Sequence, residues 1–311
     1  MKTLLQRVIK DKETNLYPVW LMRQAGRYMP EYMAIKAESN GFLDMALTPE
    51  KATEITMQPI KEFDMDAAII FSDILIINYA LGQELDYNPA PELGPYKESF
   101  WETTQAEFIE KCEPVYEAIR RVREELDDSK SLIGFAAAPY TLCKYMCDSV
   151  DSDIVKQLIP YIVTHLSMQI EAGCDTVQIF DSHAGDISEH DFDEIVIEPT
   201  KIIVDIIRAH YPHVCIIAFP RLVGNKINEY IEIVNPDCTN ISDDKPVDEI
   251  HGEVLQGGIS VKRLIRGEDI TSVLDKMKDK PYIVNLAHGI HKTTPVENVR
   301  ALVNKVKEYR A

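Results

Sequence analysis

Short apolar segments rich in β-branched and aromatic residues alternate with longer segments of helical period along the chain. Apolar runs of this length predict strands, whereas apolar residues three or four positions apart predict amphipathic helices. Eight strands are predicted, at residues 18–22, 67–71, 132–136, 176–180, 214–219, 238–242, 254–255 and onward, and 282–286.

The segments between these runs carry helix signals. Thr48 followed by Pro49 is typical of an N-cap with proline at the first helical position, and Pro59 is expected to kink the helix that follows. Thr294 and Glu297 have the spacing of a capping box at the start of the last helix. Further helical spacing covers residues 115–126, about 153–172 and 294–306.

The alternation of eight strands with helices favours an α/β fold, a (β/α)8 TIM barrel, as one domain over residues 1–311. A doubly wound open sheet is the alternative that spacing alone leaves open. The first strand is followed by Arg23-Gln24-Ala25-Gly26-Arg27 and not by G-x-G-x-x-G, so a dinucleotide site is disfavoured.

The charge balance limits the partners. The chain has 33 basic and 51 acidic residues, a formal net charge of -18, which disfavours nucleic acid and anionic membrane as partners. An anionic substrate would then need a local cationic site. The first fifteen residues lack the apolar core of a signal peptide, no apolar run reaches the ~18 to 20 residues of a membrane span, and the six cysteines are scattered. We therefore expect a cytoplasmic protein with reduced thiols.

Polar residues follow the predicted strands, where a barrel would gather its chemistry. Arg23 and Arg27 come after the first strand and could bind a carboxylate or phosphate bidentately. Asp73 comes after the second strand, where it could also cap a helix or pair with an arginine. Ser182 and His183 are adjacent, but without a G-x-S-x-G elbow they do not indicate a hydrolase.

Five blocks, in order along the chain, resemble the uroporphyrinogen decarboxylase family. They are the segments at 22–32, 71–75, 134–146, 180–185 and 285–290, which read MRQAGRYMPEY, FSDIL, GFAAAPYTLCKYM, FDSHAG and NLAHGI. The resemblance implies a barrel, usually a homodimer, that converts the four acetate side chains of uroporphyrinogen III to methyl groups, giving coproporphyrinogen III and CO2 in haem biosynthesis. It implies no metal and no organic cofactor, which agrees with a protonated pyrrole serving as its own electron sink.

The resemblance also implies roles for the strand-end residues. Asp73 is expected to accept pyrrole N–H bonds, and Arg23 and Arg27 to bind substrate carboxylates, with Gly26 letting the backbone turn. The remaining expected contacts are Tyr145, Ser182 and His288 on acetate or propionate groups, Phe135 and Phe180 on the macrocycle, and Gln24, Ala25 and Lys36 in the binding set. Of these, Arg23, Arg27, Asp73, Tyr145 and His288 are the predicted catalytic group.

Several positions depart from the family pattern. Met33 and Lys36 stand in a region where the family often has arginine, so Lys36 keeps the charge but loses the bidentate fork. Other departures lie at Tyr140, 147–149, 258–261 and Ala287. These changes affect contacts at the rim of the pocket more than the reaction.

Two other functions are compatible with the same barrel. Related methyltransferases use zinc to activate a thiol for cobalamin-linked methyl transfer, and His213-Val214-Cys215 offers the beginning of a ligand pattern. It lies where the fifth predicted strand begins, and no cysteine follows Cys238 to complete the set. A barrel that binds tetrapyrroles without reacting is the other alternative.

Overall fold

The computed structural model describes residues 1–87 and 90–310, without the side chain of Asp248. The order of elements is α1 (Leu4–Lys10), α2 (Pro30–Ala37), α3 (Phe42–Leu47), α4 (Pro49–Phe63), β1 (Ala67–Ile69), α5 (Ile76–Ala80), β2 (Leu85–Tyr87), β3 (Pro91–Leu93), α6 (Gln105–Glu125), β4 (Ser131–Ala137), α7 (Pro139–Cys147), α8 (Ser152–Glu171), β5 (Thr176–Asp181), α9 (Glu198–His210), β6 (Cys215–Pro220), α10 (Ile227–Val234), β7 (Cys238–Ile241), β8 (Leu255–Gly257), α11 (Val261–Arg266), α12 (Thr271–Lys276), β9 (Tyr282–Ile283) and α13 (Val296–Arg310).

The central element is a parallel sheet. Within the described ranges it has seven strands in the order β1-β4-β5-β6-β7-β8-β9, so neighbours in space are also successive along the chain apart from the hairpin. Pairing is parallel throughout, for example Ala67 with Ser131 and Thr176 with Cys215. Helices connect all successive strands of this sheet except β7 and β8. Because the strands are parallel, the polar residues that follow them lie at one end of the sheet. The α/β class predicted from the alternation is confirmed.

The segment 18–22, predicted as the first strand, is not a regular strand, although it lies between the two ends of the sheet. Val19 forms a single parallel bridge to Val284, and its carbonyl accepts a hydrogen bond from Asp66 N at 2.9 Å. Toward Val284 the backbone pairing continues, since Trp20 N donates to Val284 O at 3.4 Å and Val284 N donates to Pro18 O at 2.9 Å. The amides of Val19 and Leu21 donate instead to side chains, to Asp66 Oδ2 at 2.7 Å and Gln24 Oε1 at 3.3 Å. A strand ladder needs backbone acceptors at these positions, so the regular pattern stops here.

Other expectations are met or corrected locally. The helices α4, α6, α8 and α13 confirm the helical periods, and α4 begins at Pro49 as predicted, with Pro59 inside it. The capping box at Thr294 is wrong, because its buried hydroxyl has no hydrogen-bond partner among the described residues. The last strand is shorter than predicted and ends at Ile283. All six cysteines are free thiols, as expected.

The antiparallel hairpin of β2 and β3 was absent from the predicted elements. Leu85 pairs with Leu93 and Tyr87 with Pro91, and the hairpin stands apart from the main sheet. Among the helices of the described residues, none has the length and apolar character needed to cross a membrane.

A buried amide network crosses the inside of the curved sheet. Gln256 on β8 accepts from Trp20 Nε1 at 2.9 Å and donates to Gln178 on β5 at 3.1 Å and Asn240 on β7 at 2.9 Å. All four side chains are fully buried. Inside a protein each of these groups needs a partner, so Gln256 joins the 18–22 segment to three parts of the fold.

Replacing this amide should destabilise the protein. Gln256→Met keeps nearly the same volume but leaves Trp20, Gln178 and Asn240 without their shared partner. We expect the free energy of unfolding to fall by about 2–3 kcal/mol. Urea denaturation measures this, with Gln157→Met on the exposed face of α8 as the matched control. A midpoint unchanged from wild type would contradict the role of the network.

Candidate active site

Arg23 is the first residue beyond the 18–22 segment and has a left-handed backbone, with φ at +56°. The preceding residue is fixed on both sides, since Met22 N donates to Asn285 Oδ1 at 3.0 Å and Met22 O accepts from Ile290 N at 2.9 Å. Gly26 lies in a bend of this loop, and its carbonyl accepts a hydrogen bond from Met29 N at 2.9 Å, but the positive φ in the loop belongs to Arg23. A left-handed backbone is uncommon for a residue with a long side chain. At Arg23 it sets the direction in which the side chain leaves the loop.

The side chain of Arg23 lies against the backbone of Gly289. A Cβ atom at position 289 would be 2.5 Å from Arg23 Cδ and 2.7 Å from its Cγ, closer than atoms can approach. The absence of a side chain at Gly289 therefore makes room for Arg23 beside His288. This contact brings together two predicted site residues that are far apart in sequence.

Hydrogen bonds also fix the middle of the loop that carries Arg23. Gln24 is buried, and its Nε2 donates to Ala67 O at 3.2 Å while Tyr28 Oη donates to Gln24 O at 2.6 Å. Ala25 and Gly26 are half-buried. The Gln24 side chain thus holds the loop on β1.

Arg27 and Lys36 are the other predicted cations of this region, and Arg23 is exposed as they are. Both are exposed, and neither forms an ion pair with any residue in the described ranges. Burial raises the pKa of Tyr32, and the charge of Arg27 opposes this rise, which places Arg27 beside Tyr32. Lys36 is on α2, and its side chain has no contact with the group around Asp73 that the structure describes.

Asp73 follows β1 in a half-buried turn. Its Oδ1 accepts a hydrogen bond from Leu75 N at 2.8 Å, so the carboxylate does stabilise the turn into α5. Burial raises the pKa of Asp73, and the Leu75 amide, the Tyr87 hydroxyl and the charge of Arg23 oppose this rise. No ion pair shorter than 4.0 Å forms between Arg23 and Asp73 in the described part of the chain. The carboxylate is thus influenced by a cation without being neutralised by it.

Tyr87, on the hairpin, is a site residue that the sequence reasoning missed. Its hydroxyl is buried without a well-aligned hydrogen-bond partner among the described residues, and it faces the Asp73 carboxyl. Burial raises the pKa of Tyr87, and the charges of Asp73 and Tyr145 add to the rise. An unpartnered buried hydroxyl is costly, so it points to a ligand or to Asp73 as its partner during function.

Tyr145 and His288 lie close to the same charges. Burial raises the pKa of Tyr145, Asp73 adds to the rise, and Arg23 and Arg221 oppose it. Burial lowers the pKa of His288, and Arg23 and Arg221 lower it further, while Gly289 and Asp243 act in the opposite direction. The imidazole is therefore neutral near pH 7 and can both donate and accept a hydrogen bond.

Two groups of aromatic rings border this charged centre. Phe42 packs on Phe71 and on Tyr87, with ring centroids 5.3 and 4.7 Å apart, beside Asp73. On the strands, Phe180 packs on Phe135 at 5.6 Å and on Phe219 at 6.2 Å. Phe135 and Phe180 were predicted, whereas Phe42, Phe71 and Phe219 were not assigned to the site. Apolar surfaces of this kind suit a large, flat ligand with polar groups at its edge.

Ser182 is half-buried after β5, next to the fully buried Asp181. Thr141 donates to Asp181 Oδ1 at 2.6 Å, and burial raises the pKa of Asp181 to about 6. His183 pairs with Asp186 at 2.6 Å, and its ring packs on Tyr145. Ser182 and His183 form no hydrogen bond with each other in the described chain, so no nucleophilic pair is assembled there.

The residues considered for zinc lie elsewhere. Cys215 begins β6, is fully buried among apolar side chains, and burial raises its pKa to about 12. Throughout residues 1–87 and 90–310, no three side chains of His, Cys, Asp or Glu come together in a group that could hold a metal ion.

The comparisons with known proteins agree with this geometry. The family model described as uroporphyrinogen decarboxylase (URO-D) matches residues 1–309. Proteins named uroporphyrinogen decarboxylase from Rickettsia bellii and Brucella anthropi are 38% and 34% identical to the chain, and each match covers 99% of both proteins. Among solved structures, a methyltransferase from Methanosarcina mazei superimposes with a TM-score of 0.78 over the whole of both chains, at 18% identity.

The structural likeness establishes a shared α/β fold and no more, because the sequence identity is so low. The fold and the strand ends define an α/β protein that carries cationic and aromatic side chains after the strands of its parallel sheet. The sequence matches are more specific, and the chain belongs to the uroporphyrinogen decarboxylase family.

The position of Tyr87 gives a pH-dependent prediction. Its hydroxyl lowers the pKa of Asp73, so Tyr87→Phe should raise that pKa further. If the ionised carboxylate is the active form, activity is lost as pH falls through this pKa, and the acid limb of the pH–rate profile should move to higher pH. The profile of kcat measures the shift. Tyr79→Phe, on α5, is the control and should leave the limb in place.

Proposed function

We propose that this protein decarboxylates uroporphyrinogen III, converting its four acetate side chains to methyl groups to give coproporphyrinogen III and four CO2. The observation that carries the proposal is the half-buried Asp73 carboxylate, held beside Arg23 and the unpartnered Tyr87 hydroxyl in a family member. Cations for the acid groups and a carboxylate for the pyrrole nitrogens are the two components that this reaction needs.

The chemistry follows from the ring. When a pyrrole is protonated at a ring carbon, the bond between the acetate methylene and its carboxylate can break, CO2 leaves, and the electron pair moves into the ring. A proton then adds to the methylene carbon to form the methyl group, and the ring carbon loses its proton. Positive charge develops on the pyrrole during this sequence, and the carboxylate of Asp73 stabilises it. The electron sink is part of the substrate, so the proposal includes no metal or organic cofactor.

Each site residue has a proposed task. Arg23 and Arg27 bind substrate carboxylates through the planar guanidinium, whereas Lys36 offers a charge at the rim without the fork. Tyr145, Ser182 and His288 orient acetate or propionate groups by hydrogen bonds. Phe135 and Phe180 pack on the macrocycle, and Gln24, Ala25 and Gly26 form the loop that carries the arginines.

The architecture is part of the same proposal. We infer that the 18–22 segment acts as an eighth strand and closes the sheet into a (β/α)8 barrel, as one domain over residues 1–311. Its hydrogen bonds to Val284 on one side and Asp66 on the other support closure. We also propose that the protein is cytoplasmic and forms a homodimer. Light scattering of the purified protein would test the homodimer.

The two other functions have less support. The only support for zinc-dependent methyl transfer is the similarity of fold to the Methanosarcina protein. The Cys215 thiol is buried and adds no support. A non-catalytic tetrapyrrole-binding protein would bind uroporphyrinogen without releasing CO2. Incubation with uroporphyrinogen, oxidation and a count of the carboxyl groups in the products separates binding from reaction.

Asp73→Asn tests the central assignment. The amide keeps an oxygen to accept the Leu75 N–H, so folding should be preserved, but it cannot supply negative charge to the ring. We expect turnover to fall ~100-fold or more, the size typical for loss of one group that stabilises a transition state. Near wild-type turnover would overturn the role of Asp73. An unchanged melting temperature is the control for folding.

A further inference from the structure

Arg221, directly after β6, has a backbone that is fixed by hydrogen bonds. Its amide donates to Asp181 O at 3.1 Å, and its carbonyl accepts from Gly185 N at 3.1 Å. The two loops approach so closely that a Cβ atom at Gly185 would lie 2.3 Å from Leu222 O. The guanidinium therefore starts from a well-defined point at the end of the strand.

The guanidinium itself is half-buried and lacks an acidic partner. Its one hydrogen bond to a described residue is long, from Nη1 to Ser182 O at 3.4 Å, and no carboxylate of those residues lies within 4.0 Å. Most arginines in the described ranges form ion pairs: Arg7, Arg120, Arg121, Arg123, Arg208, Arg266, Arg300 and Arg310. A partly buried cation without an acidic partner is costly, although this chain has 51 acidic residues that could supply one.

The charge of Arg221 reaches the centre of the site. It acts on both Tyr145 and His288, as does the charge of Arg23. Arg23 follows the 18–22 segment, which pairs with Val284 next to β9. Arg221 follows β6, which lies three strands away from β9 in the sheet order. Tyr145 and His288 are thus influenced by two guanidiniums that approach from different walls.

We propose that Arg221 is a further substrate-binding and specificity-determining residue, which binds a carboxylate of the macrocycle on the wall opposite Arg23. The proposal rests on the proposed function, because only a substrate with several carboxylates needs cations on both walls. A macrocycle that loses its acetates one at a time must bind again in new orientations. A cation on the second wall would fix each orientation by a carboxylate that is not reacting at that moment.

Kinetics of two variants and one control test the proposal. Arg221→Gln removes the charge, and Arg221→Lys keeps the charge but loses the bidentate fork. We expect KM to rise ~10- to 100-fold for the glutamine variant, the size expected for one charge-assisted hydrogen-bonded contact, and less for the lysine variant. The control is Arg263→Gln on α11, which removes another arginine without an ion pair. It should leave KM unchanged.

Binding of stable porphyrins provides a readout that does not depend on activity. Quenching of porphyrin fluorescence measures the affinity for uroporphyrin, with eight carboxylates, and for coproporphyrin, with four. Weaker binding of uroporphyrin alone by Arg221→Gln assigns the contact to an acetate, and equal weakening of both assigns it to a propionate. Unchanged affinity for both porphyrins in a folded Arg221→Gln variant overturns the proposal.

The two proposals can fail separately. If the wild-type protein binds uroporphyrin but releases no CO2 from uroporphyrinogen, the decarboxylase function is rejected, and the porphyrin affinities still decide whether Arg221 binds a carboxylate. If the wild-type protein turns over normally and Arg221→Gln matches it in KM and in affinity, the function stands and the role of Arg221 is rejected.

Discussion

The structure depends on how side chains complete the hydrogen bonds of residues 18–22, where the backbone ladder is only partly formed. Asp66 accepts the amide of Val19, and the same carboxylate forms a two-bond ion pair with Arg310 at 2.9 and 3.1 Å. Asn285 accepts the amide of Met22 in a similar way. The bonds to the Asp66 carboxylate are charge-assisted and directional, so they fix the 18–22 segment in place between the two edges of the sheet. The position of Arg23 follows, because it is the next residue along the chain.

The site combines unpaired cations with an excess of acidic residues elsewhere. Arg23, Arg27 and Arg221 have no carboxylate within 4.0 Å in the described chain, although the protein carries a net charge of -18. Field effects over longer distances would repel an anionic substrate, and salt screens them beyond about 8–10 Å. The local guanidiniums act inside that distance. Binding of a polyanion therefore depends on short-range contacts more than on long-range attraction.

Much of the fold was predictable because it repeats simple periods. The helical spacing at 115–126 coincides with the second half of α6 up to its C-cap, and the apolar runs at 132–136 and 176–180 fell within β4 and β5. The rule that polar residues follow barrel strands found Asp73 and His288. Applied once more, to the residue after β6, it would have found Arg221. The strand prediction failed where side chains, and not backbone carbonyls, accept the backbone hydrogen bonds. The amide of Val19, for example, donates to a carboxylate 47 positions away in sequence.

The hairpin that carries Tyr87 illustrates a different limit. Two strands of three residues each give little periodic signal, so the pattern of apolar and polar positions did not reveal them. Nothing in the sequence near Tyr87 indicates that its hydroxyl would face Asp73. That proximity is set by packing of Phe42 against both Phe71 and Tyr87, which only the assembled protein reveals.

The contact between Arg23 and Gly289 has a consequence for the order of assembly during synthesis. The loop with Arg23 leaves the ribosome early, but the residues that fix it, Asn285, Gly289 and Ile290, are among the last thirty of the chain. An incomplete chain therefore has Arg23 without the surface on which that side chain rests. Because the loop is synthesised before these residues, the site can form only when segments far apart in sequence meet, such as Met22 and Asn285, which are 263 positions apart.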